Sequence, residues 1–123
     1  MLQYSQSLSE RIVNKYGHLF EKRQCYENVF KLATSNIAEL NPSSKLSVLF
    51  CYMPGAAGFH YRHAFCLYDS MIVEPLLHLN MQAKDLNSIV PIRLMDMQEY
   101  YSMLVADGKY DLWNVLQKDN IRA

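Results

Sequence analysis

The chain has no stretch of eighteen or more apolar residues, so nothing in it is long enough to cross a bilayer as a helix. It has no excess charge either: twelve basic and twelve acidic residues cancel, and neither sign forms a long run. A nucleic-acid binder neutralises phosphates with clustered Lys and Arg, and that footprint is missing. Neither nucleic acid nor an anionic membrane surface is therefore expected as a partner. The first residues, Met1-Leu2-Gln3-Tyr4-Ser5-Gln6-Ser7, lack the charged-then-apolar pattern of a secretory signal. A cytoplasmic protein is predicted, unless a route that leaves no such mark exports it. Cysteine is scarce and odd in number, since Cys25, Cys51 and Cys66 leave at least one thiol free. Without a secretory signal, a disulfide framework is not expected. There is no Cys-x-x-Cys pair and no internal repeat, and Gly55 and Gly58 lack the lysine and helix of a phosphate-cradling loop.

What is present suits one domain over 1–123, with half of the residues apolar and enough for a single modest core. Ser7 and Glu10 stand three apart like a capping box ahead of the stripe Leu8, Ile12, Val13, Tyr16 and Phe20, which predicts a first helix ending near Gly17. Glu21-Lys22-Arg23 is a charged connector. The apolar set Val29, Phe30, Leu32, Ala33, Ile37 and Leu40 predicts a second helix from about Gln24 to Leu40, ended by Asn41-Pro42. Leu46 to Met53 is apolar at nearly every position and reads as a buried central strand, broken by Pro54-Gly55-Ala56-Ala57-Gly58. Asp69-Ser70 then joins two strand-like arms as a tight hairpin turn, with Pro75 ending the second arm. Leu76 to Asn87 carries no clear period. Ile89 to Leu94 predicts a further strand that Pro91 confines to an edge or a bulge. Asp96 and Glu99 cap a helix holding Tyr100, Met103 and Leu104, Gly108 stops it, and a short last helix holds Leu112, Trp113 and Leu116. The order points to an α+β fold.

Chemistry concentrates around Cys25. In the first turn of a helix, unpaired backbone N–H groups and the positive end of the dipole favour an anion, and a thiolate is one. Such a position is expected to lower the thiol pKa into the reactive range. If the hairpin turns on Asp69-Ser70, then Tyr68 faces Met71 and Phe65 faces Glu74. Alternation puts His63 and Phe65 on one face, so Glu74 becomes the diagonal neighbour of His63, about 7 to 8 Å away at the backbone. Register alone thus brings a carboxylate to the histidine. The expected catalytic set is Cys25 as nucleophile, His63 as base and Glu74 as its orienter.

The stretches Cys25-Tyr26-Glu27-Asn28-Val29, His63-Ala64-Phe65 and Glu74-Pro75 occur in the order of a helix-start cysteine, a His-Ala-aromatic strand and an acidic-Pro strand end. In that order the chain resembles the papain-like and transglutaminase-like superfamily, including small bacterial and phage cysteine peptidases and amidases. The resemblance implies a papain-like core, with a cysteine helix packed on a small antiparallel sheet and C-terminal helices covering the rest. It implies attack of a thiolate on an amide in a peptide or protein and a thioacyl intermediate, with no metal or organic cofactor. Hydrolysis, deamidation and transamidation share that first half. The N–H of Cys25 is the expected oxyanion donor, with Gln24 or Tyr26 supplying a second, and Asn28 could reach a substrate carbonyl.

Two other readings compete. His60, His63 and Cys66 are spaced by threes with Cys51 upstream, a zinc-like set that would converge only on a helix. Nine tyrosines and seven methionines would also suit a non-catalytic interaction module on the same fold.

Overall fold

The computed structural model describes residues 2–22, 24–74 and 83–116. Arg23, Pro75, and 76–82 of the segment without a clear period lie outside the described residues.

Five strands form one sheet: β1 (Gln3–Tyr4), β2 (Leu46–Pro54), β3 (His60–Tyr68), β4 (Met71–Val73) and β5 (Val90–Asp96), in the spatial order β1-β4-β3-β2-β5. The long apolar strand β2 lies inside the sheet, antiparallel to β3 on one side and to β5 on the other. β1 runs parallel to β4, so the sheet is mixed and not the antiparallel one expected. The polar start of the sequence hid this strand, which is only two residues long.

The hairpin turns where the sequence predicts. Asp69 and Ser70 both have positive φ, at 51° and 67°, the backbone of a two-residue turn whose twist matches its strands. The ladder pairs Tyr68 with Met71, Leu67 with Ile72 and Cys66 with Val73. β5 is an outer strand, and its register with β2 shifts between Phe50 and Cys51, leaving Pro91 opposite Cys51 and Arg93 opposite Phe50. A residue with no N–H to donate thus sits on an edge and at an irregularity together.

Helices pack with the sheet, among them α1 (Gln6–Tyr16), α2 (Cys25–Thr34), α3 (Ala83–Ser88) and α4 (Met97–Asp107), and the described residues end in a further helical run over 113–116, where the sequence predicts a last helix. The proposed Ser7–Glu10 box does not form. Ser5 precedes α1 without a side-chain cap, and Glu10 instead accepts from the Gln6 amide at 2.8 Å. α2 is shorter than its apolar period suggested. It stops at Thr34, Asn36 takes positive φ at 56°, and Ala38–Leu40 forms a separate 3₁₀ turn that still buries Leu40. α4 starts and stops as predicted: the Asp96 carboxylate accepts from the Glu99 N–H at 2.8 Å, and Gly108 closes the helix in the left-handed region.

Val29 and Ala33 of α2 pack with Val48, Phe50 and Ala64 of the sheet, joined by Tyr100, Leu112 and Trp113. Leu8 and Ile12 of α1 extend that face toward Cys66 and Val73. The opposite face carries Leu49, Cys51, Phe65 and Leu67, with Ile72 and Ile89 beside them and Leu2, Tyr4 and Leu86 against them. The sheet therefore separates two apolar layers, and the main helices lie on one of them.

Candidate functional site

Cys25 is the first residue of α2, half-buried, and its sulfur lies against the outer edge of β3. The backbone N–H groups of Ala64 and Tyr26 lie near the sulfur and pull the thiol pKa down, but burial outweighs them and raises it, helped by the Glu74 carboxylate. The expectation of a thiol depressed by its helix position is thus reversed in the free protein. Desolvation disfavours the thiolate more than the helix start favours it. Cys51 and Cys66 are buried inside the sheet, and their thiols are pushed up to about 12.

His63 lies on β3, opposite Cys51 on β2, and so faces the layer away from the body of α2. Its ring is gripped along the strand. Phe65 meets it edge-on with centroids 4.5 Å apart, and Tyr61 does so from the other side at 5.9 Å. Burial lowers its pKa to about 4, so at neutral pH the ring is uncharged.

Glu74 follows β4 directly and is buried, 5 % exposed. Its Oε2 lies 4.0 Å from Nε2 of His63. That is an ion-pair distance rather than a hydrogen bond, and Nε2 has no hydrogen-bond partner among the described residues. A closing movement of about 1 Å would make the bond. The Glu74 N–H donates to Oγ of Ser9 at 3.0 Å, and Ser9 is fully buried on α1. Sequence reasoning missed Ser9. A serine on the buried stripe of a helix is the only trace it leaves in the sequence.

Of the predicted set, then, Glu74 is brought to His63, and Cys25 is brought to Ala64, the residue that follows His63 in the chain. The supporting residues fare less uniformly. Asn28 is 3 % exposed: its Nδ2 donates to the Glu21 carbonyl at 2.7 Å, and its Oδ1 accepts from the Glu21 N–H at 3.1 Å. It clamps the segment leading into α2. Tyr26 stacks on Phe50 at 5.7 Å, so its ring belongs to the core. Gln24 is exposed at the helix start. With Tyr26, Glu27, Lys109, Tyr110 and Asp111 it lines a cavity of about 310 Å³. The loop after β2 folds on itself: the Gly55 N–H donates to the Phe59 carbonyl, and a Cβ at Gly55 would lie 2.9 Å from that oxygen.

The zinc-like spacing does not produce a cluster. His60 is exposed at the start of β3, while His63 and Cys66 point to opposite layers. Among the described residues no three His, Cys, Asp or Glu side chains converge on a point that could hold a metal.

Comparison with protein-family models, with curated proteins and with solved structures finds no match for this chain.

Proposed function

We propose that this protein is a cysteine-dependent hydrolase or acyltransferase acting on an amide bond of a peptide or protein, on a papain-like core. The observation that carries the reading is the buried His63–Glu74 pair, with Nε2 and Oε2 4.0 Å apart. His63 directly precedes Ala64 on β3, whose N–H lies near the Cys25 sulfur. A carboxylate held beside an imidazole away from water can orient that ring as a base.

With Nε2 turned to Glu74, Nδ1 is the nitrogen left to take the Cys25 proton. The sulfur then forms a bond to the amide carbonyl carbon, and the C–N bond breaks as His63 hands that proton to the departing amine. The thioacyl group passes to water or to a second amine, and the thiol is restored. Because the free protein holds a thiol and an uncharged imidazole, attack draws the proton across during reaction rather than from a preformed ion pair. Substrate binding that closes the His63–Glu74 gap would bring the carboxylate against the ring, favour the imidazolium and bring this about.

The raised Cys25 pKa also favours the second reading, a non-catalytic interaction module on the same fold. Alkylation rates separate the two. If the reading holds, His63→Ala slows iodoacetamide labelling of Cys25 at pH 6 by about tenfold. His63→Gln, which keeps the core filled, does the same. Unchanged rates in both folded variants would leave Cys25 an ordinary thiol and favour the module.

A further inference from the structure

β3 is nine residues long, whereas β4 beside it has three. Among the described residues, β3 is paired on its outer side only at Cys66, Leu67 and Tyr68. The stretch from His60 to Ala64 is paired with β2 alone.

The direction of its free backbone groups follows from the turn. In a two-residue hairpin the pair closing the turn exchanges both hydrogen bonds, so Tyr68 and, two residues on, Cys66 aim N–H and C=O at β4. The alternation continues along the strand. Ala64, Arg62 and His60 therefore present their main-chain groups outward, while Tyr61, His63 and Phe65 present theirs to β2. The placing of Cys25 agrees, since the N–H of Ala64 lies near its sulfur. The cysteine thus occupies the inner end of this edge. Arg62 and His60 carry the edge away from it, both exposed.

From this we infer that the outer edge of β3 from His60 to Arg62 receives an extended peptide, paired main chain to main chain, whose scissile carbonyl is delivered to Cys25 at the level of Ala64. The inference rests on the catalytic reading above and narrows its substrate to a run of peptide backbone, rather than a lone side-chain carboxamide. Strand addition suits the chemistry because the edge fixes both the height and the tilt of the incoming amide before the sulfur meets it. Two large exposed rings lie in this stretch or directly before it. Tyr61 is 44 % exposed and Phe59 77 %, enough to contact alternate side chains of such a peptide.

The test is a backbone N-methylation scan. Capped tetrapeptide vinyl sulfones, methylated at one amide nitrogen at a time, are reacted with the full chain, and loss of the Cys25 thiol is followed by intact-mass spectrometry. An edge-bound peptide turns alternate N–H groups toward β3. One position should then lose about tenfold in second-order rate, while its two neighbours stay within about twofold. A single-residue vinyl sulfone should react at least about tenfold more slowly than the tetrapeptide. Equal rates across the scan, or a single-residue reagent as fast as the tetrapeptide, would overturn the inference. An edge already held by the rest of the chain would give that same result. Because these rates are compared with one another, a Cys25 with no dependence on His63 would sink the catalytic reading and still leave the alternation to be read.

Discussion

The N–H of Ala64 lies near the sulfur of Cys25, which sets the first residue of a helix beside a strand on which the next residue back is His63. A buried donor left without an acceptor costs about 1 to 3 kcal/mol. Cys25→Ala is therefore expected to destabilise the protein by about 1 kcal/mol or more, although it removes a partly exposed polar group. Cys25→Ser keeps an acceptor and should lie much closer to the parent. Urea unfolding of the three proteins checks the order, and an alanine variant as stable as the parent would contradict it.

Thiol counting should divide the cysteines sharply. Cys51 and Cys66 are buried with pKa values of about 12, so a disulfide reagent near pH 8 should titrate one thiol in the native protein and three in urea. Preference for Cys25 is thus a matter of access alone and says nothing about catalysis. Only its dependence on His63 does. A native titre of two or three would mean that the sheet opens on the timescale of the assay.

Stability should fall in mild acid. The folded pKa of His63 is about 4 against an ordinary 6.5, so below pH 6.5 the unfolded chain binds a proton that the folded chain refuses. The stabilisation is complete above pH 6.5 and is lost as pH falls through 4, on the order of 3 kcal/mol in all. Replacing His63 with Gln should flatten the profile between pH 6.5 and 4, measured by denaturant midpoints. A variant that keeps the parent's slope in that window would assign the loss to other groups.

Two polar side chains buried far from water should behave as structural clamps. Asn28→Ala leaves both backbone groups of Glu21 unpaired and is expected to cost about 2 to 3 kcal/mol, more than a typical surface change. Ser9→Ala removes the acceptor of the Glu74 N–H and should cost about 1 to 3 kcal/mol. If Glu74 orients His63, Ser9→Ala should also slow Cys25 alkylation. Asn28→Ala is the counterpart for the segment leading into α2. A Ser9→Ala protein with parental stability would show that water or another group takes over.

Much of the fold was legible because short-range chemistry agreed with the period of the chain. Asp69-Ser70 named the turn, the apolar run from Leu46 named the inner strand, Pro91 named an edge or a bulge, and Asp96 with Gly108 bounded a helix. The misses share a cause. A two-residue strand such as Gln3–Tyr4 has no period to detect, and its pairing with β4 is wholly non-local. α2 broke at Asn36 although the apolar spacing continued, because Leu40 can be buried from a separate turn as well as from a longer helix. At the site, the register of His63 and Glu74 follows from alternation and so could be read. The protonation of Cys25 could not, since a helix start shows in the sequence and burial does not. The clamp of Asn28 on Glu21 was hidden for the same reason, because its partner offers only backbone, which leaves no mark in residue type.

The two-residue turn at Asp69-Ser70 carries a constraint on how this chain can change. The offset that sends Ile72 and Val73 to their two apolar layers is the offset that sets the carboxylate of Glu74 beside the imidazole. Adding one residue to the turn would swap the sides of all three at once. Variation at that corner should therefore conserve length while residue type drifts, since a single slip would forfeit hydrophobic burial and the acid–base pairing in one stroke.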